Sequence, residues 1–449
     1  MGRSPGAIAA GTGQVAGADS QDASPPYFRY RPFPSVIVRY PLSVSLCLCG
    51  GNSPSSPGAI AAGKPVSGHG GYGANYIMRM LSRLILDHFR NYDHQELRFA
   101  PGANLLIGSN GQGKTNILEA VYYLSLLRSF RTGQLEHLTQ YGRQDFCLYG
   151  EVTDGTAQGL TRLGVRQGRQ REFVVNGAKA ARASEFITRL VCAAFIPEDL
   201  DIIKGAPGLR RRFLNIALCQ LQPEYMRALQ DSNNALKCRN EMLKIAQKYQ
   251  RETVTAYDSI LVQLATKIEF ARRQLASQLN SCLESLSAEF FPDGRIMSVK
   301  FLTGCGMLMD EIKDDEAAFA AQYAKTLQNS YERDCRDRAT RFGVHRSDLA
   351  CLLDGRLLSN YGSEGECRTS ALALRLAVTE ILRQALGANS VTLLVDDVLG
   401  ELDATRRDAF LQHIWAAGQV IFAGTHVPPG IPADAAVFSV ARGQVVSKG

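Results

Sequence analysis

The eight residues Gly108-Ser109-Asn110-Gly111-Gln112-Gly113-Lys114-Thr115 constrain this chain more than any other segment. They follow the apolar run 104–107, which reads as a buried strand, and lead into residues 116–127, which carry helical periodicity. A strand, a GxxxxGK[ST] loop and a helix in that order make a phosphate-binding P-loop. Its glycines let successive backbone N–H groups turn inward around an anion, and the helix N-terminus adds partial positive charge. Lys114 is placed to reach the β- and γ-phosphates of ATP, and the Thr115 hydroxyl to help hold Mg²⁺. All eight residues, Gly108 to Thr115, are therefore candidate nucleotide ligands.

A P-loop needs an acidic partner, and residues 391–397, VTLLVDD, supply one. A carboxylate at the tip of an apolar strand is costly unless a cation compensates it, so Asp396 reads as the Walker B acid that shares Mg²⁺ with Thr115. Asp397 then stands where a water-orienting acid would act, and the two form the candidate catalytic pair. About 30 residues earlier, Ser363-Glu364-Gly365-Glu366 precedes an amphipathic run. Alone it is a helix N-cap pattern. Its place before Asp396 resembles the signature helix of ABC-type ATPases, which would present Ser363 and Gly365 to the ATP of a second subunit. Residues 399–403, LGELD, resemble the D-loop of that superfamily, and His426 after the strand 420–423 is a candidate γ-phosphate sensor.

The remaining sequence sets the frame. Residues 1–77 hold nine of the 17 prolines and 13 of the 41 glycines, and repeat the octapeptide SPGAIAAG at Ser4 and Ser56. Such a segment buries too little apolar surface to offset its chain entropy and is expected to be disordered, with Met78 or Met80 as the natural start. Short strands are expected over 81–89, 96–99, 146–152, 160–166 and 172–175, and three more at 391–395, 420–423 and 436–440. Residues 209–290 read as helix, with an apolar stripe through Tyr257, Leu261, Leu264, Ile268, Ala271, Leu275, Leu279, Cys282 and Leu286. That length suits a short hairpin or packed lobe, not a long coiled coil. No apolar run of 18 residues exists, so no membrane span is expected. Eleven irregularly spaced cysteines, including the lone Cys47/Cys49 pair, read as reduced thiols of a cytoplasmic protein. The formal charge of +7 leans mildly toward polyanions, and Arg210-Arg211-Arg212 with Arg128 and Arg131 are candidate DNA contacts.

Taken together these residues resemble the RecF family. His88-Phe89-Arg90-Asn91-Tyr92 is similar to its N-F-R-N-Y opening, and residues 108–120 match its P-loop stretch almost throughout. Residues 128–132 (RSFRT), 195–200 (FIPEDL), 211–214 (RRFL), Tyr225 with 236–240 (LKCRN), and 343–348 (GVHRSD) each resemble family segments. So does Asp396-Asp397-Val398 followed by Glu401-Leu402-Asp403. The resemblance implies an α/β fold: an ABC/SMC-type P-loop ATPase head, with a helical second lobe inserted between the Walker A half and the half bearing signature and Walker B. The expected divisions are 1–77, 78–195, 196–335 and 336–449. It implies ATP-dependent homodimerisation on DNA at single-strand/double-strand junctions, weak DNA-stimulated ATP hydrolysis, and gap repair with RecO and RecR that supports RecA loading and the SOS response. The alternatives are the head of another SMC/Rad50-like repair ATPase and an ABC transporter ATPase subunit. Asn215 and Ser347 stand where the family usually has acids, Val344 where it has proline, and Gly400 where the D-loop has serine. Glu366 replaces the usual signature Gln. A carboxylate 4 Å from a phosphate charge costs roughly 4 kcal/mol at an effective dielectric of 20, so Glu366 is expected to pair with nearby Arg368.

Overall fold

The computed structural model describes residues 79–156, 159–245, 251–307 and 314–448. The expectations for residues 1–77, among them disorder, the repeat and the Cys47/Cys49 pair, lie outside the described residues. The chain opens with β1 (Met80–Phe89), β2 (Tyr92–Arg98) and β3 (Ala103–Ile107), then α1 (Lys114–Leu126). Next come β4 (Phe146–Thr153), β5 (Leu160–Gln167), β6 (Arg171–Val175), β7 (Ala178–Lys179), α2 (Ala183–Ile187) and β8 (Val191–Phe195). The helical segment consists of α3 (Leu200–Lys204), α4 (Pro207–Leu221), α5 (Pro223–Ile245) and α6 (Arg251–Phe290). It is followed by β9 (Met297–Leu302), α7 (Glu316–Asp337), β10 (Asp348–Leu353), β11 (Arg356–Leu357) and α8 (Leu358–Tyr361). The chain closes with α9 (Glu364–Leu386), β12 (Val391–Asp396), α10 (Ala404–Trp415), β13 (Val420–Gly424), β14 (Ala436–Ala441) and β15 (Gln444–Lys448).

One sheet organises the rest. Its order is β15-β14-β3-β13-β12-β8, parallel throughout except for the terminal β14–β15 hairpin. Parallel strands are covered on both faces and so read as continuous apolar runs. Alternation along each strand sorts the side chains between two cores. Leu105, Val191, Ala193, Phe195, Leu393, Val395, Val420 and Phe422 face the helices α4, α6 and α9. Leu106, Cys192, Ala194, Leu394, Ile421 and Ala423 face α1 and a second, antiparallel sheet of order β2-β1-β4-β5-β6-β7. A small sheet, β11-β10-β9, joins the end of the helical segment to the residues that precede α9.

The segment read as helix, 209–290, holds α4, α5 and α6 among the described residues. Pro223 starts α5 after a break at Gln222, and α6 runs 40 residues, roughly 60 Å at the usual rise. The apolar stripe holds: Leu261, Ile268, Leu275, Leu279 and Leu286 are buried. Charged residues interrupt it. Arg239 of α5 is fully buried and donates to Asp258 of α6 at 2.6 Å, and to Asp334 and Thr340 at 2.8 Å. Arg272 donates to the Val344 carbonyl, to Asn215 and to Tyr225. Glu269 accepts from Ser347 Oγ at 2.6 Å. Asn215 and Ser347 both join this buried network, one through its amide and the other through its hydroxyl. Replacing Arg239 by alanine strands Asp258 and Asp334 without a cation. Breaking a buried pair this way costs about 3–5 kcal/mol, so Arg239→Ala should lower the unfolding free energy by that amount, read from the shift of the denaturant midpoint at unchanged slope.

Candidate nucleotide-binding site

The P-loop leaves β3 at Gly108, and the geometry at two glycines shows why they are needed. A Cβ on Gly108 would lie 2.2 Å from the Val440 carbonyl oxygen. Gly113 has φ 112°, and a Cβ there would meet the Asn91 amide at 2.6 Å and the Tyr92 hydroxyl at 2.7 Å. The loop is clasped from both sides. From the β1–β2 turn, Tyr92 OH donates to the Gly113 carbonyl at 3.1 Å, and Asn91 bonds to the Gln112 carbonyl and to the Asn116 amide. Arg90 of the same turn holds the buried Glu119 of α1 with two bonds of 2.7 Å. From the β14–β15 turn, Arg442 N donates to Gln112 Oε1 at 2.7 Å and Gly443 N to the Gln112 carbonyl at 3.3 Å. Helix α1 has Gly113 at its N-cap, no side-chain cap and no acid in its first turn, which leaves its first N–H donors for an anion. The tip residues Ser109, Asn110 and Gly111 are exposed. Lys114 is buried, its ammonium donating to the Gly108 and Ser109 carbonyls at 2.6 and 2.8 Å. Burial pulls its pKa below the ordinary lysine value, while the charges of Asp397 and Asp396 oppose that shift.

Asp396 ends β12, one strand removed from β3 in the sheet, and the structure brings it to the P-loop. Thr115 Oγ1 donates to Asp396 Oδ1 at 3.0 Å across 281 residues of sequence. Burial pushes the Asp396 carboxyl up to about 6; the Thr115 bond and Arg131 act against this, and Glu198 and Asp397 act with it. No cationic side chain among the described residues pairs with Asp396. Two hard oxygen donors, one a buried carboxylate short of positive charge, match what Mg²⁺ requires. Asp397 follows in a left-handed conformation, φ 48°, which swings its exposed carboxylate off the strand direction.

The other candidate residues make no hydrogen bond to this cluster. Ser363 caps α9: its Oγ accepts from Glu366 N, while Glu366 Oε2 accepts from Ser363 N at 2.7 Å. Ser363 and Gly365 are exposed, as is His426, whose Nδ1 is 2.9 Å from Thr425 Oγ1. None of the three hydrogen-bonds to residues 108–115 in the described structure. Asp403 of the D-loop-like segment caps α10 by accepting from Arg406 N at 2.9 Å. The expected Glu366–Arg368 pair is not formed. Residues two apart on a helix point to different faces, so Arg368 takes Glu364, four residues before it, at 2.6 Å. Glu366 pairs instead with Arg295, in the loop between α6 and β9. The basic run 210–212 is committed to the fold. Arg210 holds Asp348 with bonds of 2.7 and 3.0 Å, Arg211 bonds to the Ser347 carbonyl and Arg212 to the Ser129 carbonyl. Arg131, read as a DNA contact, stands close enough to Asp396 to lower its pKa and donates to Asn116 at 3.1 Å.

Sequence reasoning missed Gln112's anchor and Glu198. The pair Arg442-Gly443, both at positive φ, was a readable hairpin turn. Glu198 reaches the site because β8 pairs in parallel with β12 at Phe195–Val395, which brings the chain after β8 to the same edge.

Comparison with known proteins gives the family and the fold. The profile of the RecF/RecN/SMC N-terminal domain matches residues 80–426. The DNA replication and repair protein RecF of Latilactobacillus sakei subsp. sakei (strain 23K) is 32% identical, over 82% of this chain and 99% of its own length. RecF of Streptococcus pneumoniae serotype 4 is 31% identical over 82% and 99%. Among solved structures, the recombination mediator protein RecF bound to ATP in the RecFOR pathway superimposes with a TM-score of 0.76. It is 27% identical and covers 84% of this chain and 100% of that one. The match spans the P-loop, the helical insertion and the Walker B strand in one alignment, and the chain belongs to the RecF family, with the ABC/SMC-type ATPase head fold.

Proposed function

We propose that this chain is a slow, DNA-linked ATPase that acts as a nucleotide-gated clamp in recombinational repair and replication. The observation that carries this reading is the convergence of Lys114, Thr115, Asp396 and Asp397 on one edge of the parallel sheet, beside an uncapped helix N-terminus. Residues 108–113 wrap the phosphates of ATP, and Lys114 neutralises them. Mg²⁺, held by Thr115 and Asp396, would supply the remaining positive charge against the phosphates. Asp397 orients the attacking water, and His426 senses the γ-phosphate from the end of β13. Ser363 and Gly365 close the site of a second copy, so that ATP draws two heads together on DNA and hydrolysis releases them. The expected setting is the cytoplasm, at single-strand/double-strand junctions, with RecO and RecR as partners and with RecA loading and the SOS response as outcomes. No helix among the described residues is long and apolar enough to cross a membrane.

Binding to gapped, single-stranded and duplex DNA, each with and without ATP, tests the reading. Junction-bearing DNA should bind tightest and only with ATP. Lys114→Ala should lose ATP affinity by roughly a hundredfold, about 3 kcal/mol, and with it the ATP-dependent DNA binding. Equal binding by Lys114→Ala would defeat the assignment. Asp397→Asn should keep ATP binding and slow hydrolysis by on the order of a hundredfold, the usual worth of a positioned general base. An unchanged turnover rate would remove Asp397 from the chemistry. The Asp396 carboxyl, held up to about 6, must be deprotonated to take a cation. Mg²⁺-dependent ATP affinity should therefore be level above that pH and fall on the order of tenfold per unit below it, read by titration with a fluorescent ATP analogue.

A further inference from the structure

The two helix N-termini assigned to nucleotide differ in charge. Helix α1 has no acid in its first turn, whereas α9 has two, Glu364 and Glu366. An acid is a good helix cap, because it complements the positive end of the helix. It is a poor neighbour for a phosphate. Each of the two acids has an arginine. Glu364 pairs with Arg368 of its own helix. Glu366 divides its oxygens between two donors: Oε2 accepts from Ser363 N and Oε1 from Arg295 Nη1. These bonds draw the Glu366 carboxyl down to about 2, the Ser363 backbone first and Arg295 second, so the group stays ionised.

Arg295 is braced for this contact from the far side of the ion pair. Its Nε donates to Asp293 Oδ2 at 2.7 Å, and its guanidinium lies 5.6 Å from the centre of the Phe291 ring. Phe291 is fully buried in the core that α6 shares with α9. The next residue, Ile296, is tied by its N–H to Asp354 at 2.9 Å. The guanidinium is thus fixed by the helical segment and reaches across to the first turn of α9. Ser363, Glu364 and Gly365 remain exposed beyond it.

We propose that Arg295 is a positioning residue for the signature turn: it holds and neutralises the Glu366 carboxylate, so that Ser363 and Gly365 can meet the nucleotide phosphates bound by a second copy of this chain. The proposal rests on the reading above, in which Ser363 closes a partner's site. It also accounts for a signature that carries Glu in place of Gln, since the added charge and its neutralising arginine occur in the same chain. The helical insertion then controls signature charge directly, through one side chain.

A double-mutant cycle on the full chain tests it, with ATP-dependent dimerisation followed by light scattering and ATP affinity measured on the monomer. Arg295→Ala should weaken the dimer by about tenfold or more, since it leaves the carboxylate with the Ser363 N–H but without its neutralising arginine, with monomer ATP affinity unchanged. Arg295→Lys, which keeps the charge, should dimerise nearly as wild type. Adding Glu366→Gln to Arg295→Ala should restore the dimer to within about twofold of wild type, because the offending charge is gone. A structural role for Arg295 predicts no such rescue. A double variant as weak as Arg295→Ala, or an Arg295→Ala dimer as tight as wild type, would overturn the proposal while leaving the nucleotide-gated dimer intact. A wild-type chain that does not dimerise with ATP would take down both.

Discussion

A buried carboxylate short of positive charge is the feature around which the ATPase half is arranged. An ionised Asp396 at the end of a central strand is costly without a cation, and the sheet order places it against Thr115 and the P-loop. β12 reaches that position because β13 pairs with it on one side and with β3 on the other, the three strands ending level. The loop that leaves β3 is then fixed by two turns distant in sequence. Asn91 and Tyr92 hold it from the β1–β2 turn, and Arg442 and Gly443 from the last hairpin. Glycine at 108 and 113 is the condition for both contacts, since any side chain would occupy the space used by Val440 or by Asn91 and Tyr92.

Arginines connect the helical insertion to this frame. Arg210 ties α4 to the start of β10, Arg272 ties α6 to the turn before it, and Arg375 ties α9 to Asp199 after β8. Arg406 of α10 donates to the carbonyl of Phe290 at the end of α6. Pairs of this kind gain little stability over a well-packed apolar core, but each accepts one partner in one geometry. In this molecule they fix how α4 and α6 sit against α9 and β10. Asn215 and Ser347 fit the same logic. Both accept from Arg272, and Glu269 is the carboxylate beside it.

Much of the nucleotide site was legible because its signals are local. Glycine spacing, an apolar strand before the loop and a helix after it are contiguous, and Asp396-Asp397 at a strand end is contiguous too. The partners of long side chains were not legible. The run 210–212 looked like a basic face, yet Arg210 and Arg211 meet residues more than 130 positions away. The charges within α6 were hidden because a periodic apolar stripe says nothing of Arg272 or Asp258 buried between its members. Short strands such as β8 and β9 fell below recognition; five or six residues without turn signals do not declare themselves. Glu366 was assigned to Arg368 on proximity in sequence, where helix geometry favours Glu364 for that arginine and the true partner comes from another element.

The central claim is that ATP at this P-loop brings two copies of the chain together. Sedimentation velocity of the wild-type chain with Mg²⁺ and ATP, with Mg²⁺ and ADP, and without nucleotide tests it most directly. The account predicts a dimer with ATP and a monomer in the other two conditions. One sedimenting species, unchanged across all three, would contradict it.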